Sequence, residues 1–406
     1  MKLMKNGSIT SPQGYTVGIA TCGLKVSAQP DLMLLHSIRD CTAAALFTRN
    51  QVVGAPITLN RETLASNNKT VRAVAINSGI ANVCTGALGL QNARSMQSMT
   101  ATALHCQPDQ VLVLSTGLIG VQLPMEQLSA GIGTAATKPQ SNGGPEAARA
   151  IMTTDTLPKH LAIRIYTPRG KVTIGAIVKG SGMIHPNMAT MLALITTDAN
   201  IPATNLQSLL KPAVDASFNR ISIDGDTSTS DAVLLLANGT SGVSCARGES
   251  RQSFEQALNY LVTQLAKQVV QDGEGVSKLV AIRVSGARKR VDAHRVANTI
   301  ATSPLVKTML AGSDPNWGRV MAAAGRAGVH FDPLHTKLWI GTDQRKYLQL
   351  VEHGAACDYN EPDAVRILSS TDFEIHLDLG CGQQETTVWT GDLTREYVSI
   401  NTDYRT

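Results

Sequence analysis

Residues 179–192 read KGSGMIHPNMATML, and they confine this stretch to a turn that feeds directly into a buried strand. Gly180, Gly182 and Pro186 punctuate the turn, and Met191–Ile195 is an apolar run of strand length. At the junction a small residue, Ala189, precedes a hydroxyl residue, Thr190. If the bond between them breaks, Thr190 gains an α-amine titrating near ~8 beside its own hydroxyl. One residue then holds both a nucleophile and a base. Left intact, the same run is a turn before a strand, and the residues by themselves leave both readings open.

At 406 residues the chain exceeds the size of one compact core, so two domains or lobes are expected. Aromatics make up only 4% of it, while Ala, Val, Gly and Thr are abundant. This suits an α/β or α+β enzyme with tightly packed sheets, and not a nucleic-acid binder built on stacking platforms. The net charge of +5 comes from scattered Lys and Arg, and the short run Arg288-Lys289-Arg290 reads as a solvated turn. The seven cysteines include no Cys-x-x-Cys pair, which favours reduced thiols over a disulfide framework or a zinc site. Lys2 and Lys5 are followed by polar Asn6, Gly7 and Ser8, so no signal-like apolar segment follows them. No stretch approaches the ~18 apolar residues of a membrane span. A cytoplasmic protein with neither nucleic acid nor membrane as partner is expected, and an organellar form stripped of a transit peptide is compatible with the same pattern.

Along the chain, the clearest linker is residues 137–146 (TKPQSNGGPE), after which Pro145 is placed to open a short helix over residues 146–152. Residues 71–77 and 110–114 read as buried strands, each ending in a polar-glycine turn: Asn77-Ser78-Gly79 and Ser115-Thr116-Gly117. Such strand ends present unpaired backbone N–H groups. The strongest helical pattern starts at Ser253, with Gln256 completing a capping box. Phe254, Ala257, Leu258, Leu261, Val262, Leu265, Ala266 and Val269 form its apolar stripe, and Gly273 ends it. Glu274 then sits just past a helix C-terminus, where a carboxylate gains nothing from the dipole, so a purely structural cap explains it poorly. Further strands are expected at 279–284, 337–341, 347–352 and 373–379.

Dinucleotide and metal motifs are missing. Gly180-Ser181-Gly182 has His185 where a third glycine would stand, and no His-Glu-x-x-His occurs. Asp224, Asp226 and Asp231 in DGDTSTSD form the one concentrated carboxylate cluster, but without the spacing of an EF-hand loop. The segment reads as a loop whose hydroxyls and carboxylates cap its own turns.

KGSGMIHPNMATML resembles the processing site of the ornithine acetyltransferase family, also called the bifunctional glutamate N-acetyltransferase or arginine-biosynthesis J (ArgJ) family. Eight further blocks follow the family's order: ALFTRNQVVGAP (45–56), AINSGIANVCTG (75–86), LSTGLIG (114–120), MTTDTLPK (152–159), SIDGDTSTSD (222–231), QDGEGVSK (271–278), SPLVKTMLAGSDPNWGR (303–319) and YVSINTDYRT (397–406). Ile80 and Ser230 depart from the family's usual Asn and lie beside the motifs. The resemblance implies a mixed α+β fold of αββα layers, related to the DmpA type, of the N-terminal-nucleophile kind with internal autoproteolysis. Cleavage between Ala189 and Thr190 would divide the chain into an α chain, 1–189, and a β chain, 190–406. It implies Thr190 as nucleophile and Thr116 and Gly117 as the oxyanion hole. Substrate contacts would come from Thr153 (or its neighbour Thr154), Lys179, Thr190, Glu274, Asn401 and Thr406.

The implied reaction carries an acetyl group from N2-acetylornithine to L-glutamate through an acetyl-Thr190 intermediate. No cofactor or metal is implied, although acetyl-CoA is a possible additional donor, and assembly from two α and two β chains or a multiple is expected. For acetylornithine, Lys179 and Glu274 are sensible partners of the carboxylate and the δ-ammonium. Two other readings compete: an N-terminal-nucleophile amidase or aminopeptidase of similar fold, and an uncleaved binding protein.

Overall fold

The computed structural model describes residues 1–67, 69–185, 191–343 and 346–403. Ala189, Thr190 and Thr406 therefore lie outside the described residues. The first part of the chain runs β1 (Lys2–Leu3), β2 (Tyr15–Ala20), β3 (Leu32–Phe47), α1 (Ala55–Ser66), β4 (Thr70–Ile80), α2 (Gly86–Ala103), β5 (Val111–Leu118), α3 (Met125–Ala136) and α4 (Gly144–Ala150). It continues with β6 (Lys159–Thr167), β7 (Gly170–Lys179), β8 (Leu192–Thr197), α5 (Ala203–Asp215), β9 (Ile221–Ser222), β10 (Ala232–Ala237) and α6 (Gly248–Gln271).

Among the described residues these strands, β9 excepted, form one nine-stranded sheet in the order β1-β6-β7-β8-β10-β3-β4-β5, with β2 beside β3. β3 spans 16 residues, and its register with β4 shifts between His36 and Cys41. Its first half pairs with β2 and its last with β10 on the same edge, so the sheet doubles over along this strand. Met33, Leu35, Val74, Ile76, Leu112 and Leu114 of one half then meet Ile177, Leu192, Leu194, Leu234 and Leu236 of the other in a single core. The alternate residues of each strand point outward. Ala73, Ala75, Val111 and Val113 pack under α2 and α3, while Ile174, Ile195, Val233 and Leu235 pack under α5 and α6. The result is the expected αββα layering. β8 (LALITT) and β10 (AVLLLA) are buried at every residue and pair in parallel, as unbroken apolar runs do when both faces are covered.

The second lobe holds β11 (Leu279–Ala287), α7 (Arg290–Ala301), α8 (Pro304–Gly312), α9 (Trp317–Gly325), β12 (Lys337–Asp343), β13 (Lys346–Glu352), β14 (Ala355–Ala356), α10 (Glu361–Leu368), β15 (Asp372–Asp378) and β16 (Gln384–Gly391). Its seven-stranded sheet has the order β14-β13-β12-β15-β11-β16-β9, and α7 to α10 cover one face. A last helix, α11 (Arg395–Asp403), returns to the first lobe. α6 joins the lobes, packing on β6 and β7 to one side and on β9, β11 and β16 to the other. The lobes thus separate after α6. β7 and β8, which flank the 189–190 bond in sequence, are adjacent strands of the same sheet.

Two local expectations need correction. α6 starts at Gly248 and not at Ser253, with no side-chain cap. Buried Ser250 and the Arg251–Ser208 hydrogen bond hold the extra turn against the neighbouring helix. Asn77-Ser78-Gly79 and Ser115-Thr116-Gly117 do not form turns but extend β4 and β5, with Thr116 opposite Ser78 and Gly117 opposite Gly79. Both glycines adopt positive φ, and a Cβ on Gly117 would run into the Gly79 carbonyl, so only glycine lets these backbones approach so closely. The stripe on α6 is buried as expected. Replacing Phe254, fully buried on α6 in the core beneath the first-lobe sheet, with alanine should cost about 3–5 kcal/mol by chemical denaturation.

Candidate active site

A cleft of about 430 Å³ opens where β5, the loop after α4, the end of β7, the 222–231 segment, the segment just past α6 and α11 converge. Thr116, Gly117, Thr153, Lys179, Glu274 and Asn401 all line it, so six of the expected site residues meet in one place. Its size is that of a small-molecule site. Thr190 and Thr406 lie outside the described residues. Met191, one residue after position 190, lines a smaller cavity that shares Thr116, Lys179, Gly182, Met183, Ser228 and Ser230 with the cleft.

Each of these side chains is set by a different element. Thr116 and Gly117 stand where the β4–β5 ladder becomes irregular: Ile80 pairs with both Thr116 and Leu118 around Gly117. A bulge of this kind leaves a residue out of the regular ladder. Lys179 is the last residue of β7 and is buried, yet its ammonium has hydroxyl partners: Nζ donates to Thr153 Oγ1 at 2.8 Å and to Thr116 Oγ1 at 3.2 Å. Both threonine oxygens act as acceptors there, which leaves their hydroxyl protons available to the cleft. Of the two adjacent threonines, it is Thr153 that meets Lys179, while Thr154 Oγ1 lies 2.7 Å from Ser181 Oγ. Burial pulls the Lys179 ammonium below its ordinary pKa; Asp155 and Glu274 oppose that pull and Lys159 reinforces it.

Glu274 is buried just past α6, and its Oε2 accepts from Asn401 Nδ2 at 2.8 Å. No ion pair neutralises it among the described residues. A buried carboxylate without a cation is costly, and the cleft offers a place for a cationic ligand group. Two glycines make this arrangement possible. A Cβ on Gly182 would meet the Glu274 carboxylate, and one on Gly275, at φ +65°, would meet the Tyr397 backbone of α11.

Several residues that sequence reasoning did not single out hold the site together. Asp155 accepts from the Thr153 N–H at 3.0 Å, the Gly180 N–H at 2.8 Å and Lys159 Nζ at 2.7 Å, and the same ammonium is paired with Asp272. Burial alone would push the Asp155 carboxyl up, but Lys159, Lys179 and the hydrogen bonds hold it at about 2. The sequence offered no signal for this group, because Asp272 is brought from more than 100 residues away.

The 222–231 carboxylates diverge. Asp224 accepts from the Met183 N–H at 2.6 Å and the Ile184 N–H at 2.9 Å and so grips the turn that precedes Pro186. Asp226 is exposed, and Asp231 is buried beside Met191 and Lys179 with one oxygen unpartnered. The self-capping loop inferred for this segment holds only in part, since Asp224 caps a different segment.

Lys159→Met would leave Asp155 and Asp272 buried without a counter-charge and should cost about 3–5 kcal/mol in denaturant titrations. The sign with pH follows from the lowered Asp155 value: its contribution is complete above the ordinary carboxyl value of 3.8 and is lost as pH falls toward 2. The variant should lack that acid-labile share when stability is followed down this range.

A family model described as the ArgJ family matches residues 16–406. The arginine biosynthesis bifunctional protein ArgJ of Symbiobacterium thermophilum is 44% identical over 404 residues, covering 98% of this chain and 99% of that protein. The mitochondrial protein of the same description from Heterostelium pallidum is 43% identical over 411 residues, covering 97% and 94% respectively. Among solved structures, the ornithine acetyltransferase of Mycobacterium tuberculosis, complexed with ornithine, is 37% identical and covers 46% of this chain and 99% of that chain, with a TM-score of 0.44.

Proposed function

The chain belongs to the ArgJ family, acetyltransferases of arginine biosynthesis, and on that premise we propose that it carries the acetyl group of N2-acetyl-L-ornithine to L-glutamate through an acetyl-threonine at position 190. The observation that carries this reading is the convergence, in one cleft beside Met191, of paired threonine hydroxyls, a buried lysine and an unneutralised buried glutamate.

Self-cleavage comes first. Thr190 Oγ attacks the Ala189 carbonyl, the amide nitrogen leaves as the α-amine of residue 190, and water hydrolyses the resulting ester. The products are chains 1–189 and 190–406. In the mature enzyme the α-amine takes the proton of the Thr190 hydroxyl, whose oxygen adds to the acetyl carbonyl. The Thr116 hydroxyl, already accepting from Lys179 and so pointing its proton away from that lysine, and a backbone N–H at Gly117 steady the oxygen that becomes negative. Ornithine leaves with the proton returned to its nitrogen. The α-amine of glutamate then attacks the acetyl ester, giving N-acetylglutamate and the free hydroxyl.

Glu274, steadied by Asn401, takes the δ-ammonium of the donor, and Lys179 supplies the positive charge for its carboxylate. Thr153 and Thr406 complete the substrate contacts. The reaction needs no cofactor, and acetyl-CoA serves as a second acetyl donor to the same threonine. The enzyme works in the cytoplasm as an assembly of two α and two β chains or a multiple.

Acetylornithine incubated with and without glutamate tests the reaction. Ornithine release should depend on glutamate, and equal release of free acetate without it would make the protein a hydrolase. Thr190→Ala should yield one full-length, inactive species by denaturing electrophoresis and intact mass. Glu274→Gln removes a charge-assisted contact of about 1.5–3 kcal/mol and should raise KM for acetylornithine roughly ten- to a hundredfold.

A further inference from the structure

The run Arg288-Lys289-Arg290, read from sequence as a solvated turn, ends against a cavity. Arg290 is the first residue of α7, and the helix start has no side-chain cap. That end of a helix favours anions and gains nothing from a cation. Arg290 and His294, one turn apart on α7, line a cavity of about 570 Å³ that shares no described residue with the active-site cleft. Arg49 after β3, Lys211 and Asp215 of α5, and Arg220 in the short helical turn that follows α5 face it from the first lobe. Thr386 of β16 faces it from the second.

Charge is unbalanced there. Asp215 is the one carboxylate among the described wall residues, and it is already engaged: Lys211 Nζ lies 2.6 Å from one of its oxygens, and Asn219 Nδ2 donates to the other at 2.9 Å. Arg220 Nε donates to the Asp215 carbonyl at 3.1 Å, which leaves the two terminal nitrogens of that guanidinium without a partner among the described residues. Arg49 and Arg290 are exposed and make no ion pair among those residues. Burial and then the Arg290 charge pull the Arg220 guanidinium below its ordinary range, and burial, followed by Arg220, His185 and Arg290, does the same to His294. Like charges gathered in this way oppose one another unless an anion comes between them.

A second observation is independent of charge. Thr386, 3% exposed, is the buried member of the described wall, and its hydroxyl has no hydrogen-bond partner among the described residues. It lies on β16, the strand against which α7 packs. A buried hydroxyl left unsatisfied is costly and calls for an explanation.

We propose that this cavity binds a small ligand through a diphosphate group, with Arg220 and Arg290 on the phosphate oxygens, the α7 N-terminus and Thr386 as neutral donors, and Arg49 and Lys211 adding charge from the exposed side. Guanidinium forks match phosphate oxygens two at a time, and the free N–H groups of a helix start serve the same oxygens. A lone carboxylate would leave most of the positive charge unmatched, whereas a diphosphate meets it. The volume falls in the range of small-molecule sites and leaves room for a body beyond the phosphates.

Isothermal titration of the purified protein with inorganic pyrophosphate, at near-physiological ionic strength so that loose surface attraction is screened, tests the proposal. Pyrophosphate should bind saturably to one site per chain. Arg290→Gln should raise Kd at least about tenfold, and Thr386→Val should raise it several-fold. Arg169→Gln, which removes an exposed cation outside this wall, should leave it unchanged. Neither Arg290→Gln nor Thr386→Val breaks a side-chain hydrogen bond among the described residues, so both chains should fold and melt with the wild type. Absence of saturable binding, binding that survives Arg290→Gln, or an equal loss in Arg169→Gln overturns the proposal. Unchanged binding in Thr386→Val overturns it as well, because what then remains is an exposed basic surface without a built site.

Discussion

Everything in the first lobe depends on burying the two halves of one doubled sheet against each other. Met33, Leu35, Val74 and Ile76 on one side and Leu192, Leu194, Leu234 and Leu236 on the other leave water together. Full burial of such side chains is worth about 1.5–3 kcal/mol each relative to exposure. The doubling has a chemical consequence. It carries the end of β5, with Thr116 and Gly117, across the core from the half that contains β7 and β8, so Lys179 can reach Thr116.

The site sits at the edge of that core and is built from charges that the fold has taken out of water. They are handled in three different ways. Lys159 is clamped between two aspartates, and the clamp fixes Thr153 and the start of the turn that leads to position 190. Lys179 has hydroxyl partners in place of a carboxylate, which orients two threonines. Glu274 and Asp231 are left with capacity for donors that the described residues do not supply. Placing unfulfilled polar groups at a cleft is how a fold spends stability on function.

Much of this was legible one segment at a time. The α6 stripe from Phe254 to Val269, the apolar run of β8 and a short helix at Pro145 follow from periodicity and turn chemistry, and all appear. Glu274 was also visible as a carboxylate at the wrong end of a helix dipole. The reading of Ser115-Thr116-Gly117 as a turn failed because β4 lies alongside. A polar-glycine triplet ends a strand in isolation, but two such triplets in register extend one another and form a bulge. Ser253 failed as a cap for a similar reason: contact with α5 stabilises an earlier turn. The carboxylates of DGDTSTSD looked alike in sequence, yet one grips a turn, one is exposed and one is buried.

The sequence by itself determined the element types, the αββα class through its family resemblance, and the residue types at the site, since periodicity, turn residues and motif order are local properties of the chain. Tertiary structure alone decided that residues 116, 153, 179, 274 and 401 face one cleft, that Lys159 is shared by Asp155 and Asp272, and that Asp231 is buried beside Met191 with one oxygen unpartnered among the described residues. Those facts depend on which distant segments are pressed together when apolar faces are buried, and no window of neighbouring residues records that.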